Sequence, residues 1–332
     1  MAPPDIHKLA RLVLAPGTMK EYDRDLANFL KWLERKGLDK FDRLEKLDEL
    51  VTRYCIYTYE KHRKTRKQRC VNVKNALEFY FPELSGTFTL TNKSLKGWTR
   101  QKPTKQHTPA PYKVMLGIVY EFLRIGQIEM MVATLLTFDC YLRASDIHNA
   151  RKADLTIFPN LRQGICGVLR LPKTKRGINQ SVKIRGLLLH TWLQRLVEEE
   201  PDSPRLFNFS LQYWRKCMAR TRRELGLQDL VITPHSLRYG GATHDALLNK
   251  THVQDIQQRG RWANLKSLRR YLQEGEVALL NTNLSAKTAG LLEEINADVA
   301  YYFNLPTRKW KVAEEQGRRK KNILEEKPRN MV

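Results

Sequence analysis

Hydrophobic positions in the first third of the chain recur at helical spacing. After Thr18, which suits a helix N-cap, the apolar positions fall on one face of a helix that Gly37 is expected to end. These apolar positions are Tyr22, Leu26, Phe29, Leu30 and Leu33. Similar spacing predicts two more helices, from Lys46 to His62 and from Arg69 to Phe81. The first third is therefore predicted to be an all-helical domain.

The helical period is lost between Glu83 and Pro111. This stretch contains prolines, and five of the residues from Lys93 to Lys105 are Lys or Arg. Such a composition predicts an extended basic linker between two domains. The predicted division is a helical domain over 1–88, a basic linker over 89–111, a second domain over 112–305 and a charged C-terminal tail over 306–332.

Helical spacing returns after Pro111, and a short β-hairpin interrupts it. The two strand-like runs are Ile165–Leu171 and Gln180–Ile184, and a KTKRG turn lies between them. The helices of this region are predicted over Tyr112–Leu123, Ile128–Tyr141, Gly186–Glu199, Ser210–Leu225, Pro234–Leu248, Val253–Arg259, Leu265–Gln273 and Ala289–Tyr302. The predicted fold class is therefore mainly α, with one small β-sheet in the second domain.

The charge of the chain points to an anionic partner. Its 59 Lys and Arg residues against 35 acidic residues give a formal net charge of +24, which favours nucleic acid or an acidic membrane surface. No apolar run approaches the ~18–20 residues that span a bilayer, and Met1 to Ala10 contains no apolar stretch typical of a secretion signal. We therefore expect no membrane span, no secretion and a nucleic-acid partner.

The densest basic run lies between the second and third predicted helices. Six of the nine residues in KHRKTRKQR are Lys or Arg. Such a run is either a solvated loop or a segment that contacts phosphates, and in a protein this basic we favour the second interpretation. The candidate DNA-binding residues of the run are Lys61, Arg63, Lys64, Arg66, Lys67 and Arg69.

The cysteine content indicates a reducing compartment. The five cysteines form no C-x-x-C pair, and their number is odd. Neither a disulfide framework nor a zinc finger is expected from this pattern. The cytoplasm or the nucleus is the expected location.

Cleaving DNA without a metal requires a particular set of side chains. Arginine forks neutralise the charge that develops on the phosphate oxygens, a nucleophile attacks phosphorus, and Lys or His protonates the leaving oxygen. The run PHSLRYGGATH supplies His235 and Arg238, three residues apart at the start of a helix. This spacing alone is weak evidence, because His148 and Arg151 repeat it by chance.

Three more patterns supply the remaining groups. Tyr271 follows Trp262 by nine residues in GRWANLKSLRRYL, and Arg143 ends an apolar helix with Asp146 three residues later. The hairpin turn offers Lys173 and Lys175. Each pattern taken alone has an ordinary explanation: core packing for the aromatic residues, a helix-end ion pair for Arg143, and solvent exposure for the lysines.

The order and spacing of these residues together resemble the tyrosine recombinase/integrase family. HSLRYGGAT resembles its H-x-L-R-x-x-x-A-T/S box, and RGRWANLKSLRRYL resembles its G-[H/W]-x(n)-Y box. The resemblance runs from Thr18 to Phe303, and the GRW variant is similar to Crypton-like or retroelement-type eukaryotic members. It implies a two-domain DNA clamp, with a helical core-binding domain and a mostly helical catalytic domain that carries a small β-sheet or hairpin.

The resemblance also implies a role for each matching residue. Arg143 and Arg238 clamp the scissile phosphate, and Tyr271 attacks it to form a 3′-phosphotyrosine. Lys173 protonates the 5′-oxygen, with Lys175 as the alternative. The remaining matches are His235, which helps to activate the tyrosine, and Trp262, whose N–H donates to a phosphate oxygen.

Two positions depart from the family pattern. Asp146 stands where the family often has Glu, and a shorter carboxylate is still able to orient Arg143. Arg261 adds a cation before Trp262, and it either contacts DNA or is merely exposed. Lys175 and Arg261 join the candidate DNA-binding residues. No cofactor and no metal is implied.

The resemblance further implies double-stranded DNA as partner and a homo-tetramer on two DNA sites. The segment Ala289–Phe303 is either a helix exchanged between protomers or a helix packed on its own domain. The implied activity is site-specific recombination, integration or transposition of a mobile element, in the nucleus of a eukaryotic host or otherwise in the cytoplasm or nucleoid. The alternatives are a type IB topoisomerase-like enzyme and a non-catalytic DNA-binding protein.

Overall fold

The structure is a computed structural model with two compact units, Met1–Gln106 and His107–Val332. The described part of the chain is mainly α-helical with one small antiparallel sheet, which confirms the predicted fold class. It comprises residues 10–38, 44–62, 66–102, 108–162, 164–174, 177–185, 187–199, 203–247, 251–269 and 284–304, with the single positions 272, 275, 277 and 280.

The described residues of the first unit form four α-helices around an aromatic-rich core. Helix α1 packs on α3, and α2 packs on both α3 and α4. The core between them includes Phe29, Trp32, Leu33, Val51 and Tyr54. The helices are α1 (Pro16–Arg35), α2 (Leu44–Lys61), α3 (Lys67–Tyr80) and α4 (Thr89–Gln101).

The start of α1 corrects one sequence prediction. The helix begins at Pro16, whose fixed φ suits the first helical position, and Ala15 is its N-cap, so the prediction of Thr18 as N-cap is wrong. Its end agrees with the prediction. The last helical residue is Arg35, and Gly37 adopts φ 61°, a left-handed conformation that glycine reaches without a steric penalty.

Helix α4 contradicts the predicted linker over residues 89–101. Trp98 is buried in the core of the first unit, so this stretch belongs to that unit. The Asp48 carboxylate on α2 accepts the main-chain N–H groups of Leu90 (2.8 Å) and Thr91 (2.9 Å) and thereby caps the helix. A cap supplied from about 40 residues upstream leaves no local signal in the sequence of α4.

The Asp48 cap predicts a pH-dependent loss of stability. Burial raises the pKa of Asp48, but hydrogen bonds from Thr91, Leu90 and Thr89 outweigh it, so the pKa lies below its usual value. The cap therefore stabilises α4 above the unfolded pKa of about 4 and is lost as pH falls through the folded pKa. We expect Asp48→Ala to cost about 1 kcal/mol at neutral pH. Hydrogen exchange of α4 measures this difference, which should shrink as pH falls below the unfolded pKa of about 4. A difference that does not change with pH would contradict the cap.

The second unit has a helical core around α5 and α6. Helix α5 packs on α6, α9 and α13, and α6 also contacts α8 and α10. Most of its helices match the predictions within a few residues, whereas α7 was not predicted. The helices are α5 (Tyr112–Arg124), α6 (Ile128–Asp139), α7 (Ala144–Asn149), α8 (Leu187–Glu199), α9 (Leu211–Glu224), α10 (Pro234–Leu247), α11 (Val253–Gly260), α12 (Leu265–Arg269) and α13 (Ala286–Asn304).

The predicted hairpin is present as part of a three-stranded antiparallel sheet. The strands β1 (Leu155–Arg162), β2 (Ile165–Thr174) and β3 (Gly177–Arg185) lie in the order β1-β2-β3. Strand β1 was not predicted. It contains Pro159, which lies where the register with β2 is interrupted, as expected for a proline in an edge strand.

All five cysteines are free thiols, and all but Cys217 are buried. Over the described ranges, no three His, Cys, Asp or Glu side chains are grouped as metal ligands. Within those same ranges, no helix combines the length and the apolar character needed to cross a bilayer.

Candidate functional site

The turn after α6 places Arg143 at the start of α7. Tyr141 adopts φ 48°, a left-handed conformation that costs a non-glycine residue roughly 1–3 kcal/mol. Three contacts hold it there. Its hydroxyl donates to the Asp245 carboxylate, its ring packs at 5.9 Å from that of Trp262, and its carbonyl accepts a hydrogen bond from Arg238. Burial, and then the charge of Asp245, raise the pKa of the Tyr141 hydroxyl, which stays protonated.

Asp146 brings two arginines together. One of its carboxylate oxygens, Oδ2, accepts the main-chain N–H of Arg143 and an Nη2–H of Arg261, each at 3.0 Å. The side chains of Arg261 and Asp146 are only 6% and 4% exposed. The alternative that Arg261 is merely exposed is therefore wrong. Asp146 orients Arg143 through the main chain.

The two arginines retain donors that no protein group accepts within the described part of the chain. These buried atoms are Nη1 of Arg143 and both Nε and Nη1 of Arg261. Burial lowers the pKa of Arg261, Asp146 raises it, and the charge of Arg143 lowers it, with a net decrease. Leaving charged donors buried without acceptors is costly, so this pair is suited to an oxyanion.

Arg238 is buried completely beneath this turn. Its Nη1 donates to the Tyr141 carbonyl and its Nη2 to the Gly260 carbonyl at 2.7 Å. Its guanidinium also lies over the Trp262 ring, 4.5 Å from the centroid. Arg238 thus joins the turn before Arg143 to the end of α11. Contact of Arg238 with the scissile phosphate stays a prediction.

Two glycines allow these close approaches. A Cβ on Gly241 of α10 would lie 1.9 Å from the carbonyl oxygen of Phe138 in α6, and one on Gly260 would lie 1.7 Å from a ring carbon of Trp262. Larger residues would separate α10 from the end of α6 or displace the indole. The Gly240–Gly241 pair of α10 is the sequence signal that could have indicated the close approach of α10 to α6.

Gly260→Ala tests the packing around Trp262. We expect the added methyl to displace the indole and to lower the free energy of unfolding by about 1–3 kcal/mol. Urea unfolding measures the change. Gly290→Ala in α13 is the matched control, because its Cβ meets open space, and it should stabilise the protein by about 0.5–1 kcal/mol. If both substitutions change the free energy of unfolding equally, Trp262 is not packed closely against Gly260.

Trp262 anchors the segment that leads to Tyr271. Its side chain is 5% exposed and packs in a cluster with Tyr141, Ile256 and Leu268. Leu272, which follows Tyr271 in sequence, packs against the same cluster, and its N–H donates to the Leu268 carbonyl at 3.3 Å. Tyr271 itself lies outside the described residues.

The histidine candidate lies on α10, and one of the two lysine candidates lies on β2. His235 lies in the first turn of α10, partly exposed, with its ring edge-on to Tyr239 at 5.0 Å. Lys173 belongs to β2 and pairs with Ile178 of β3 near the hairpin tip, but its side chain is outside the described part. Lys175 is outside it entirely, so the choice between the two lysines stays open.

Part of the basic run is described in the first unit. Lys61 is exposed at the end of α2 and donates to the Tyr57 hydroxyl at 2.7 Å. Arg66 is exposed just before α3, and Lys67 donates to Thr99 Oγ1 at 2.7 Å. Arg63 and Lys64 lie outside the described residues.

The cations of the basic run create a positive electrostatic potential at His62. Slight desolvation and then the charges of Arg66, Arg69 and Lys61 lower the pKa of the His62 imidazole. Three cations therefore act on one point between α2 and α3. Their contact with DNA stays a prediction.

The sequence did not indicate a partly buried polar cluster next to the site. Its members are contributed by α6, β3, α10 and α11, which are far apart in sequence: Asp139, Arg185, Asp245 and Arg259. Only the general rule that buried charges must be paired would have indicated it.

Helix α13 packs on its own unit in this structure. Leu292 and Ile295 are 1% and 3% exposed within the core of the second unit, and α13 contacts α5. Exchange of Ala289–Phe303 between protomers stays a prediction.

The fold is that of the tyrosine recombinases. No family model and no curated protein matches the chain. Among solved structures, the Tn1549 transposon integrase (residues 82–397) with transposon right end DNA matches at TM-score 0.56 and 13% identity, covering 86% of this chain and 95% of that one. XerH site-specific recombinase bound to palindromic difH substrate matches at 0.55 and 16%, covering 76% and 75%. A lambda integrase dimer bound to a COC′ core site matches at 0.53 and 14%, covering 80% and 74%.

Proposed function

We propose that this chain cleaves and rejoins DNA strands through a covalent 3′-phosphotyrosine intermediate. The observation that carries the proposal is the pair of arginines, Arg143 and Arg261, that Asp146 holds together. Their buried donors are suited to an oxyanion. Next to this pair in sequence, Trp262 anchors the segment that leads to Tyr271. A tyrosine recombinase fold supports the same chemistry.

The arginines stabilise the charge of the transition state. When a nucleophile attacks the phosphodiester, negative charge grows on the non-bridging oxygens, and preorganised guanidinium donors lower the barrier most effectively. Arg143 supplies one such group. Arg261, already oriented by Asp146, contributes its remaining donors to the same anion. Arg238 holds the turn and completes the cationic surroundings.

The strand-transfer step conserves the number of bonds. The Tyr271 oxygen forms a bond to phosphorus as the bond from phosphorus to the 5′-oxygen breaks. His235 takes up the tyrosine proton, and Lys173 or Lys175 delivers a proton to the 5′-oxygen. Attack by a 5′-hydroxyl reverses the step and rejoins the strands, so no external energy source is consumed.

Binding to double-stranded DNA is proposed to depend on phosphate contacts. The net charge of +24 and the cations around His62 support such binding. The candidate residues are Lys61, Arg63, Lys64, Arg66, Lys67, Arg69, Lys175 and Arg261.

The phosphate contacts predict a steep dependence on salt. The logarithm of the affinity should fall linearly with the logarithm of salt concentration, because each contact releases condensed counterions. Arg66→Ala should reduce the slope by about 1. Arg53→Ala is the control, because Arg53 is exposed on α2 but paired with Glu49. Fluorescence anisotropy over a salt series measures both slopes, and a salt-insensitive affinity would refute the charge argument.

The biological setting proposed is recombination or integration of a mobile element by a tetramer on two DNA sites. In a eukaryotic host the protein would act in the nucleus, and otherwise in the cytoplasm or nucleoid. A topoisomerase-like activity is the alternative. Supercoiled plasmid that is relaxed without any joining of two sites would favour it.

Trapping of covalent complexes tests the proposed chemistry. The full chain is incubated with a duplex library that has a randomised core and a nick near the cleavage position, so that the cleaved fragment diffuses away. Adducts that survive denaturation are isolated and their DNA is sequenced. Recovery of a common sequence supports a site-specific enzyme, whereas binding without any adduct favours a non-catalytic DNA-binding protein.

A further inference from the structure

One buried side chain, Arg259, joins three elements of the second unit. It lies at the penultimate position of α11. Its Nε and Nη2 donate to the Asp139 carbonyl at 3.1 and 2.8 Å, and Nη2 lies 2.8 Å from the Asp139 carboxylate. Its Nη1 donates to the Lys183 carbonyl at 3.0 Å. The side chain is 12% exposed, and these contacts engage most of its N–H groups.

Each acceptor lies in an element next to one that carries a candidate site residue. Asp139 is the last residue of α6, where helix carbonyls lack helical donors, and Arg143 follows four positions later. Lys183 is in β3, the edge strand that pairs with the β2 segment containing Lys173. Helix α11 itself leads directly into Arg261 and Trp262.

The contacts of Arg259 belong to a closed network. Asp139 Oδ2 accepts the Arg185 main-chain N–H at 3.1 Å, and the Arg185 guanidinium donates to Asp245 Oδ2 at 3.0 Å. The same Asp245 oxygen accepts the Tyr141 hydroxyl. The Arg259 guanidinium lies 5.6 Å from the centroid of the Tyr141 ring. Two carboxylates thus balance two guanidiniums around Tyr141, which lies in the turn that leads to Arg143.

We propose that Arg259 is a positioning residue that fixes the Arg143 turn, the lysine-bearing hairpin and the Trp262 segment in one catalytic arrangement. The inference rests on the proposed function. Arg259 is not proposed to touch DNA, because its donors are directed at protein carbonyls and a carboxylate. A lysine cannot replace it, because a single ammonium lacks the planar fork that reaches Asp139 and Lys183 together.

The test separates cleavage from binding. Arg259→Met and Arg259→Lys are compared with wild type in the full chain, on the DNA recovered by covalent trapping, below the unfolding temperature of every variant. We expect the single-turnover rate of adduct formation to fall about 100-fold in Arg259→Met, because small displacements of reacting groups have effects of this size. Arg259→Lys should not restore the rate, and DNA affinity should change only a few-fold.

A matched control isolates the role of this arginine. Arg124→Met removes another partly buried arginine, which pairs with Glu121 on α5, and it should cleave at the wild-type rate. Cleavage by Arg259→Met within a few-fold of wild type would overturn the inference. A loss of affinity equal to the loss of cleavage would also overturn it, since that result indicates a DNA contact.

A second measurement does not depend on catalysis. Hydrogen exchange of segments 139–147 and 181–185 should be faster in Arg259→Met than in wild type and Arg124→Met. If hydrogen exchange in both segments is unchanged in Arg259→Met, Arg259 does not couple these elements and the inference is overturned. If the wild-type chain forms no adduct, the proposed function fails, and the exchange result still decides whether Arg259 couples these elements.

Discussion

Replacing Tyr271 with Phe is expected to abolish covalent adduct formation while leaving DNA affinity unchanged. The substitution removes only the oxygen that forms the bond to phosphorus, so the loss should reach the detection limit of a denaturing gel. The neighbours Leu268 and Leu272 pack in the Trp262 cluster through their own side chains, which the substitution leaves unchanged. The folded structure should therefore be preserved.

The control for Tyr271 is another tyrosine of the same unit. Tyr213 is exposed on α9, and Tyr213→Phe should form adduct at the wild-type rate. Full adduct formation by Tyr271→Phe would remove this residue from the chemistry. Loss of activity in both variants would point to a general effect on folding, which thermal unfolding would reveal.

Replacing Arg238 with Ala is expected to slow cleavage by at least about 100-fold, corresponding to roughly 3 kcal/mol of transition-state stabilisation. The buried guanidinium bonds the carbonyls of Tyr141 and Gly260 and lies over Trp262. Its removal leaves the two buried carbonyls without this donor. The free energy of unfolding should therefore also fall, by about 1–3 kcal/mol for each carbonyl. Rates are therefore compared at a temperature where both proteins are folded.

The second H-x-x-R pair of the chain provides the matched control for Arg238. Arg151 has the same spacing from His148 but is exposed, whereas Arg238 is fully buried. Arg151→Ala should cleave within a few-fold of wild type. A cleavage rate of Arg238→Ala near that of wild type would show that Arg238 has no part in the reaction.

The sequence predicted the helices well where one apolar face sets the period. It failed where the structure depends on distant partners or on short elements. Helix α4 is capped by Asp48 of α2, and α7 has only six residues. Strand β1 contains Pro159, which weakens any strand signal, and its pairing comes from β2.

The candidate site was predicted in part. The motif residues Arg143, His235, Arg238 and Trp262 came from their order in the sequence, whereas the groups that hold them did not. Tyr141 and Asp245 are separated by 104 positions, and Arg259 and Asp139 by 120. Such pairs arise from tertiary packing, and no local spacing encodes them.

Identification of the residue bound to DNA tests the central claim most directly. The trapped adduct is digested with nuclease and protease, and the nucleotide-bearing peptide is sequenced by mass spectrometry. We predict a 3′-linked nucleotide on Tyr271. A nucleotide on any other side chain, or the absence of any covalent product from DNA that the chain binds specifically, would contradict it.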